Sequence, residues 1–161
     1  MLFILDGTPG ADVALFLARL QEETLSCSII LYNDWIQHAN PHQSELACDK
    51  LHEHPAGIIF MRVSSEIAHK RLQNQGQTNI SLDHIVQIYK EKEQFFIENK
   101  NNPKELQNLP VLVLNGNIDF QTDFAQFYNH LFYIRRFIKQ LEEQQDILLG
   151  IHKEKPHRKC C

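Results

Sequence analysis

Long apolar runs are missing from this 161-residue sequence, and none approaches the roughly 18 residues of a membrane-spanning helix. A surplus of positive charge is missing too. The formal net charge is −4, which gives no electrostatic reason to expect nucleic-acid binding. Cysteine is sparse: Cys27 and Cys48 stand alone and Cys160-Cys161 close the sequence. No pair has zinc-site spacing, and a disulfide framework is not expected in a chain of this size. His38 and His42 lie four apart, but Pro41 separates them and no third ligand is evident, so no metal site is expected. The N-terminal apolar residues lack a preceding basic segment, so a secretory signal is not expected. These absences point to a reducing, cytoplasmic setting.

What is present suits one domain with a real core. Hydrophobic residues make up 43% and charged residues 22% of the chain. The most informative stretch is 57–97. Residues 58–63 are a short apolar run after Pro55 and Gly57, and read as a buried strand. Ser64 or Ser65 is placed to cap a helix starting near Glu66. That helix runs into a glutamine-rich segment, residues 73–77, which reads as a polar loop. A second helix opens near Ser81, with Leu82, Ile85, Val86, Tyr89 and Phe96 at helical spacing. Strand, basic helix, polar loop and helix suit a nucleotide kinase, in which the loop is a lid whose cations close over phosphates. This lid carries no cations.

The chain opens with a second candidate strand, residues 2–5, then Asp6-Gly7-Thr8-Pro9-Gly10 and a helix with Val13, Leu17 and Leu20 on one face. Strand, glycine turn and helix form the phosphate-binding unit of many nucleotide proteins. Such a loop needs a second glycine, a lysine for the phosphate charge and a hydroxyl for magnesium. In register from Gly7 those positions hold Asp12, Val13 and Ala14. The bland alternative is a plain strand–helix turn that binds nothing.

Further along, Ile29, Ile30 and Leu31 are apolar, and a helix is expected over 43–52. His52 and His54 near its end read as partners of the helix dipole. Residues 99–108 form a polar loop with at most one helical turn. Residues 111–114 read as a further buried strand, whose continuous apolar character suits a parallel sheet covered on both faces. Its exit turn, residues 115–120, lies where ligands bind in open α/β sheets, beyond the strands' carboxyl ends. The alternative there is that Asp119 caps the next helix and Phe120 packs inward. A long helix over 121–149 places Phe124, Phe127, Leu131, Ile134, Ile138 and Leu141 on one face, and Gly150 ends it. Any apolar surface the sheet leaves uncovered is available to another subunit. The organisation is then a domain over 1–150 and a basic, disordered tail over 151–161. The final pair of cysteines beside basic residues is a possible lipid attachment site, with an unmodified tail as the alternative.

The order and spacing of these motifs resemble the deoxynucleoside kinase family. Leu31-Tyr32-Asn33-Asp34-Trp35 is similar to a family helix start of the form I/L-Y-x-D-W. The strand over 59–63 with Lys70-Arg71-Leu72 resembles the family's strand and pre-lid helix. Ile80-Ser81-Leu82-Asp83-His84-Ile85, with Tyr89 and Glu93-Gln94-Phe95-Phe96, resembles the run after the lid. Residues 109–114 and Asn117-Ile118-Asp119-Phe120 resemble its last strand and base-stacking turn. The resemblance implies an α/β fold with three layers, a parallel sheet with strands near 2–5, 58–63 and 111–114, fewer than the family's five, and helices on both faces. It implies nucleotide contacts at Gly7 and Gly10 in the phosphate loop, at Arg71 against the donor base, and at Asp119 and Phe120 in the exit turn. Glu93 matches an acidic position with a structural role. ATP and magnesium are the family's cofactors, and a nucleotide or deoxynucleoside is the implied partner, with a homo-oligomer expected.

The departures are as informative. The lid's two arginine positions hold Gln75 and Gln77, which donate hydrogen bonds but cannot neutralise a migrating phosphoryl group. Several tens of family residues before Leu31 are missing, including the segments with the catalytic acid and an arginine. No catalytic residue and no metal ligand is therefore assigned, and binding of ATP and magnesium is in doubt. The resemblance implies a kinase scaffold that is catalytically impaired or inactive. Two alternatives stand beside it. One is an active kinase with reassigned groups, Asp12 or Glu22 as base and Lys70 and Arg71 as phosphate ligands. The other is a non-enzymatic interaction module on the same scaffold. With two family strands missing, the first strand is also expected to risk an unpaired edge, unless residues 29–31 fill it.

Overall fold

The computed structural model describes residues 1–39, 54–100, 103–119 and 122–150. The expected helix over 43–52, Phe120 and the tail over 151–161 lie outside the described residues, as do Cys48, His42 and His52. Four strands form one parallel sheet: β1 (Leu2–Gly7), β2 (Ser28–Leu31), β3 (Gly57–Arg62) and β4 (Val111–Asn115), in the order β2-β1-β3-β4. The helices are α1 (Val13–Gln21), α2 (Tyr32–Ala39), α3 (Ser65–Asn74), α4 (Leu82–Phe96) and α5 (Phe124–Leu148). A 3₁₀ turn, Lys104–Leu106, accounts for the single helical turn expected in the polar loop.

The sheet has one more strand than the sequence reading counted. Residues 28–31 pair with β1, with Leu2 opposite Ser28 and Leu5 opposite Leu31. On its other side β1 pairs with β3, with Leu5 opposite Ile59. The first strand therefore has no free edge, and all six of its residues are buried. The expected unpaired edge is closed by Ile29, Ile30 and Leu31.

Strand alternation divides the core. One face presents Phe3, Leu5, Ile59, Met61 and Leu114 to α1, α3 and α5 through Phe16, Leu72, Leu131 and Ile134. The opposite face presents Leu2, Ile4, Ile58 and Phe60 to Tyr32, Phe95, Phe96 and Leu106. There the aromatic rings of Tyr32, Phe95 and Phe96 meet edge-on, with centroids 4.8–5.6 Å apart. Apolar residues on both faces explain why the strands read as continuous apolar runs. The result is the expected three-layer α/β arrangement.

Several local details differ from the sequence reading. Asp119 does not cap α5; Asp123 does, accepting from the Gln126 N–H at 3.1 Å. Phe124 does not join the buried face of α5 and is 60% exposed, whereas Phe127, Leu131, Ile134, Ile138 and Leu141 are buried as expected. Ser64 starts α3 without a side-chain cap, while Ser81 caps α4 by accepting from the His84 N–H at 3.2 Å. Gly150 follows α5 in the left-handed conformation, φ 68°, and so ends it as glycine commonly does.

Candidate functional site

All four strands point the same way, so their carboxyl ends share one edge of the sheet, the usual ligand edge of open α/β folds. Two polar clusters stand along it. The first gathers the β1–α1 turn, α3 and the turn after β4, and its hub is Arg71. The guanidinium donates to the carbonyls of Gly10 at 3.0 Å, Gly116 at 2.8 Å, Asn117 at 3.0 Å and Ile118 at 3.2 Å. The planar fork of arginine suits such multiple donation. Thus Gly10, Arg71 and the turn leading to Asp119 are brought together. Asp119 itself accepts from the Thr122 hydroxyl at 3.0 Å.

The β1–α1 turn is held by hydrogen bonds of its own and by others to the end of β3. The Gly7 N–H goes to the Asp6 carboxylate at 2.7 Å, the Thr8 N–H to the Met61 carbonyl at 3.0 Å and the Ala11 N–H to the Thr8 carbonyl at 3.1 Å. Pro9 has no N–H to offer. The Thr8 hydroxyl, buried, accepts from the Val63 N–H at 2.7 Å and lies 3.2 Å from the Val63 carbonyl. A Cβ added at Gly7 would meet Ala11 Cβ and Val13 Cγ1 at 2.8 Å, so apolar side chains fill the space beside this glycine. Gly10 is required for a different reason. It has φ 72°, and a Cβ there would lie 3.0 Å from the α3 backbone at Ala68.

Asp12 keeps a conformation that suits glycine better than aspartate, φ 49° and ψ 41°, at the start of α1. It makes no side-chain cap there. Its carboxylate instead accepts from Gln75 Nε2 at 3.2 Å. Residues 73–77, expected as a lid-like loop, are chiefly a helix ending. Gln77 N–H bonds the Leu72 carbonyl and Gly76 N–H the Gln73 carbonyl, both at 3.0 Å, with Gly76 at φ 83°. That pattern is a Schellman motif. Glu22 lies at the far end of α1 from Asp12, ten residues or about 15 Å along the helix. It therefore does not reach the turn, which removes one of the two bases considered for a reassigned kinase. Lys70 is exposed on α3.

Sequence reasoning missed the second cluster, on the opposite face of the sheet. Asp6 accepts from Lys92 at 2.5 Å, with the two side chains only 11% and 28% exposed. Lys92 also lies over the rings of Phe96 and Tyr32, at 5.6 and 5.9 Å. Beside this pair, Arg62 donates twice to Glu93, both bonds 2.7 Å. Burial pushes the Tyr89 phenol above its ordinary range, and the neighbouring Glu93 carboxylate adds to the shift. Burial likewise raises Tyr32, with Asp6 contributing. The signal available in the sequence was the acidic residue ending an otherwise apolar strand. Glu93, matched to an acidic family position, does hold a structural ion pair here.

Among the described residues, no group of His, Cys, Asp and Glu is arranged to hold a metal ion, and no helix is long and apolar enough to cross a membrane. Cys27, half-buried, has its thiol pushed up to about 11, chiefly by burial, and is an unreactive thiol near neutral pH.

No family model matches the sequence. Over 99 residues, 58% of the chain, it is 29% identical to deoxycytidine kinase 2 of Gallus gallus. The chain spans 35% of the length of that curated relative. A solved deoxyadenosine kinase from M. mycoides, with products dCMP and a flexible dCDP bound, superposes with a TM-score of 0.48 at 15% identity, over 83% of this chain and 100% of that one. In sequence the chain is deoxynucleoside kinase-like over more than half its length, and its parallel three-layer α/β fold accords with that likeness.

Proposed function

We propose that this chain is a deoxynucleoside kinase scaffold on which phosphoryl transfer is lost or severely impaired, retaining at most a weak nucleotide or nucleoside contact at the carboxyl edge of the sheet. One observation carries the reading: the N–H groups of Gly7, Thr8 and Ala11 in the β1–α1 turn are already bonded, and the turn presents Asp12 where a phosphate would bring further negative charge. Mg·ATP does not fit these residues. Asp12, Val13 and Ala14 supply neither a cation nor a hydroxyl, and the Thr8 hydroxyl is engaged with Val63. Gln75 and Gln77 supply no charge from the lid side. Each missing electrostatic contributor commonly costs about 10²–10³ in rate, and several together leave little to measure. Gly7, Gly10, Arg71, Asp119 and Phe120 are then vestiges of a nucleotide site, with Arg71 acting as a brace for the fold.

Isothermal titration with Mg·ATP and with each deoxynucleoside, paired with a phosphoryl-transfer assay, tests this. The expected result is no turnover above background and no tight binding of Mg·ATP. Tight binding with turnover overturns it and favours a kinase with reassigned groups. A second reading, an interaction module without ligand binding, is favoured by the apolar outer surface of α5, where Phe124, Tyr128 and Phe132 are all more than half exposed. It predicts no thermal shift with any nucleotide or nucleoside.

A further inference from the structure

Three consecutive large apolar side chains close α5 in water. Ile147, Leu148 and Leu149 are 72%, 85% and 73% exposed, more than any other large hydrophobic residue of the described chain. None of them joins the clusters that pack the two faces of the sheet. The helix end itself is complete. The Leu149 N–H donates to the Gln145 carbonyl at 2.9 Å and the Gly150 N–H to the Ile147 carbonyl at 3.1 Å. The three side chains therefore project from a finished tip, and a contiguous exposed apolar patch marks a contact surface. Leu148 lies sixteen residues beyond Phe132, about 24 Å along the helix, so the tip is separate from the exposed aromatic residues near the helix start.

Charge says what covers the tip. Residues 151–159 follow directly and carry Lys153, Lys155, Arg158 and Lys159 against Glu154 alone. The negative balance of the chain lies entirely in residues 1–150, and the sign reverses beyond the tip. Apolar side chains beside a basic cluster match the two layers of a membrane surface, the acyl boundary and the anionic headgroups. Geometry favours lipid over a protein groove. Successive helical residues point about 100° apart, so the three side chains surround the helix axis and share no single face. That suits a tip pressed into a fluid layer and not a groove that grips one stripe. Glu142, Glu143 and Asp146 come just before Ile147 and set the depth, because carboxylates resist transfer out of water. Only the tip can enter. The same carboxylates repel an anionic surface, so the basic residues must outweigh them and attachment is salt-sensitive.

We propose that the tip of α5 and the basic segment after it dock this chain on an anionic lipid surface, with Ile147, Leu148 and Leu149 at the acyl boundary and Lys153, Lys155, Arg158 and Lys159 among the headgroups. The inference does not depend on any nucleotide contact. Flotation of the full chain with phosphatidylcholine vesicles, with and without about one third phosphatidylserine, tests it. The expected result is partition onto the mixed vesicles, weaker at high salt, and little onto phosphatidylcholine alone. Lys153→Gln/Lys155→Gln/Arg158→Gln/Lys159→Gln should lower the partition coefficient by more than about a hundredfold, at about fivefold per charge. Leu148→Glu/Leu149→Glu should lower it by more than about tenfold. These side chains are exposed, so the variants should fold, as circular dichroism would check. Should the leucine pair not fold, Leu148→Trp still decides, since its added fluorescence should shift to the blue on the mixed vesicles. No partition onto the mixed vesicles, partition indifferent to the leucine pair, or no blue shift in Leu148→Trp overturns the proposal. So does binding to a DNA duplex as tight as to the mixed vesicles, which would make the basic segment a general polyanion site.

Discussion

The two polar clusters at the carboxyl edge of the sheet are built on opposite principles. Around Arg71 a single side chain is satisfied by backbone carbonyls of Gly10, Gly116, Asn117 and Ile118. Around Asp6 and Lys92, side chains satisfy one another as ion pairs. Backbone acceptors cannot swing away or change charge. A bond to them fixes the relative positions of three chain segments, and a ligand gains little by competing. Ion-paired side chains can exchange partners, but when buried they carry a desolvation cost that makes each depend on the other. The first cluster is therefore a brace, and the second is a coupled polar island in an apolar layer.

That contrast is sharpest at Lys92. Removing its charge leaves the largely buried Asp6 carboxylate without the ammonium, while the Gly7 N–H still donates to it. Lys92→Met is expected to cost about 3 kcal/mol in urea denaturation, the lower end for breaking a buried pair because both side chains keep some solvent contact. Replacing both members, Asp6→Asn with Lys92→Met, should recover most of that loss. A single-variant loss below about 1 kcal/mol would show the pair to be effectively solvated and would erase the distinction between the clusters.

Arg71→Ala comes next. It strands four carbonyls, but these lie near the surface and water can reach them, so the expected loss is about 2 kcal/mol. Arg71→Lys should recover less than half, because a point-charge ammonium cannot span acceptors on two separate turns as a planar fork does. Full recovery in the lysine variant would mean that charge, not geometry, is what the brace supplies.

Much of this architecture was legible in the sequence because apolar runs bounded by Gly and Pro mark buried strands, and β1, β3 and β4 obey that rule. β2 was not counted because Ser28–Leu31 is four residues long and half-exposed at the sheet edge, giving too short a signal. The phosphate-loop substitutions were legible residue by residue, since each required side-chain type is absent. What was not legible is where the remaining donors go. Arg71 was expected against a base, and nothing local in the sequence shows that it also donates to carbonyls far away along the chain. The Asp6–Lys92 pair spans 86 residues, and no local pattern announces such a partner. The exposure of Phe124 shows a related limit: periodicity finds an apolar stripe but not how wide a stripe the sheet will cover.

The smallest expected effect tests the β1–α1 turn itself. Asp12 occupies the left-handed region, φ 49° and ψ 41°, which costs a non-glycine residue roughly 1 kcal/mol. Its recompense among the described residues is a 3.2 Å contact with Gln75 at the surface, worth about a few tenths of a kcal/mol at most. Asp12→Gly should therefore stabilise the chain by about 0.5 kcal/mol, after glycine's extra freedom in the unfolded state is subtracted. Asp12→Ala removes the same carboxylate but cannot relax the backbone, and so should give no gain. Both variants lift a negative charge from the start of α1 and should improve anion binding there equally. If alanine stabilised as much as glycine, charge repulsion rather than backbone conformation would be the strain at this turn. If glycine alone stabilised, the turn would retain the backbone shape of a phosphate loop while lacking the side chains that a phosphate needs.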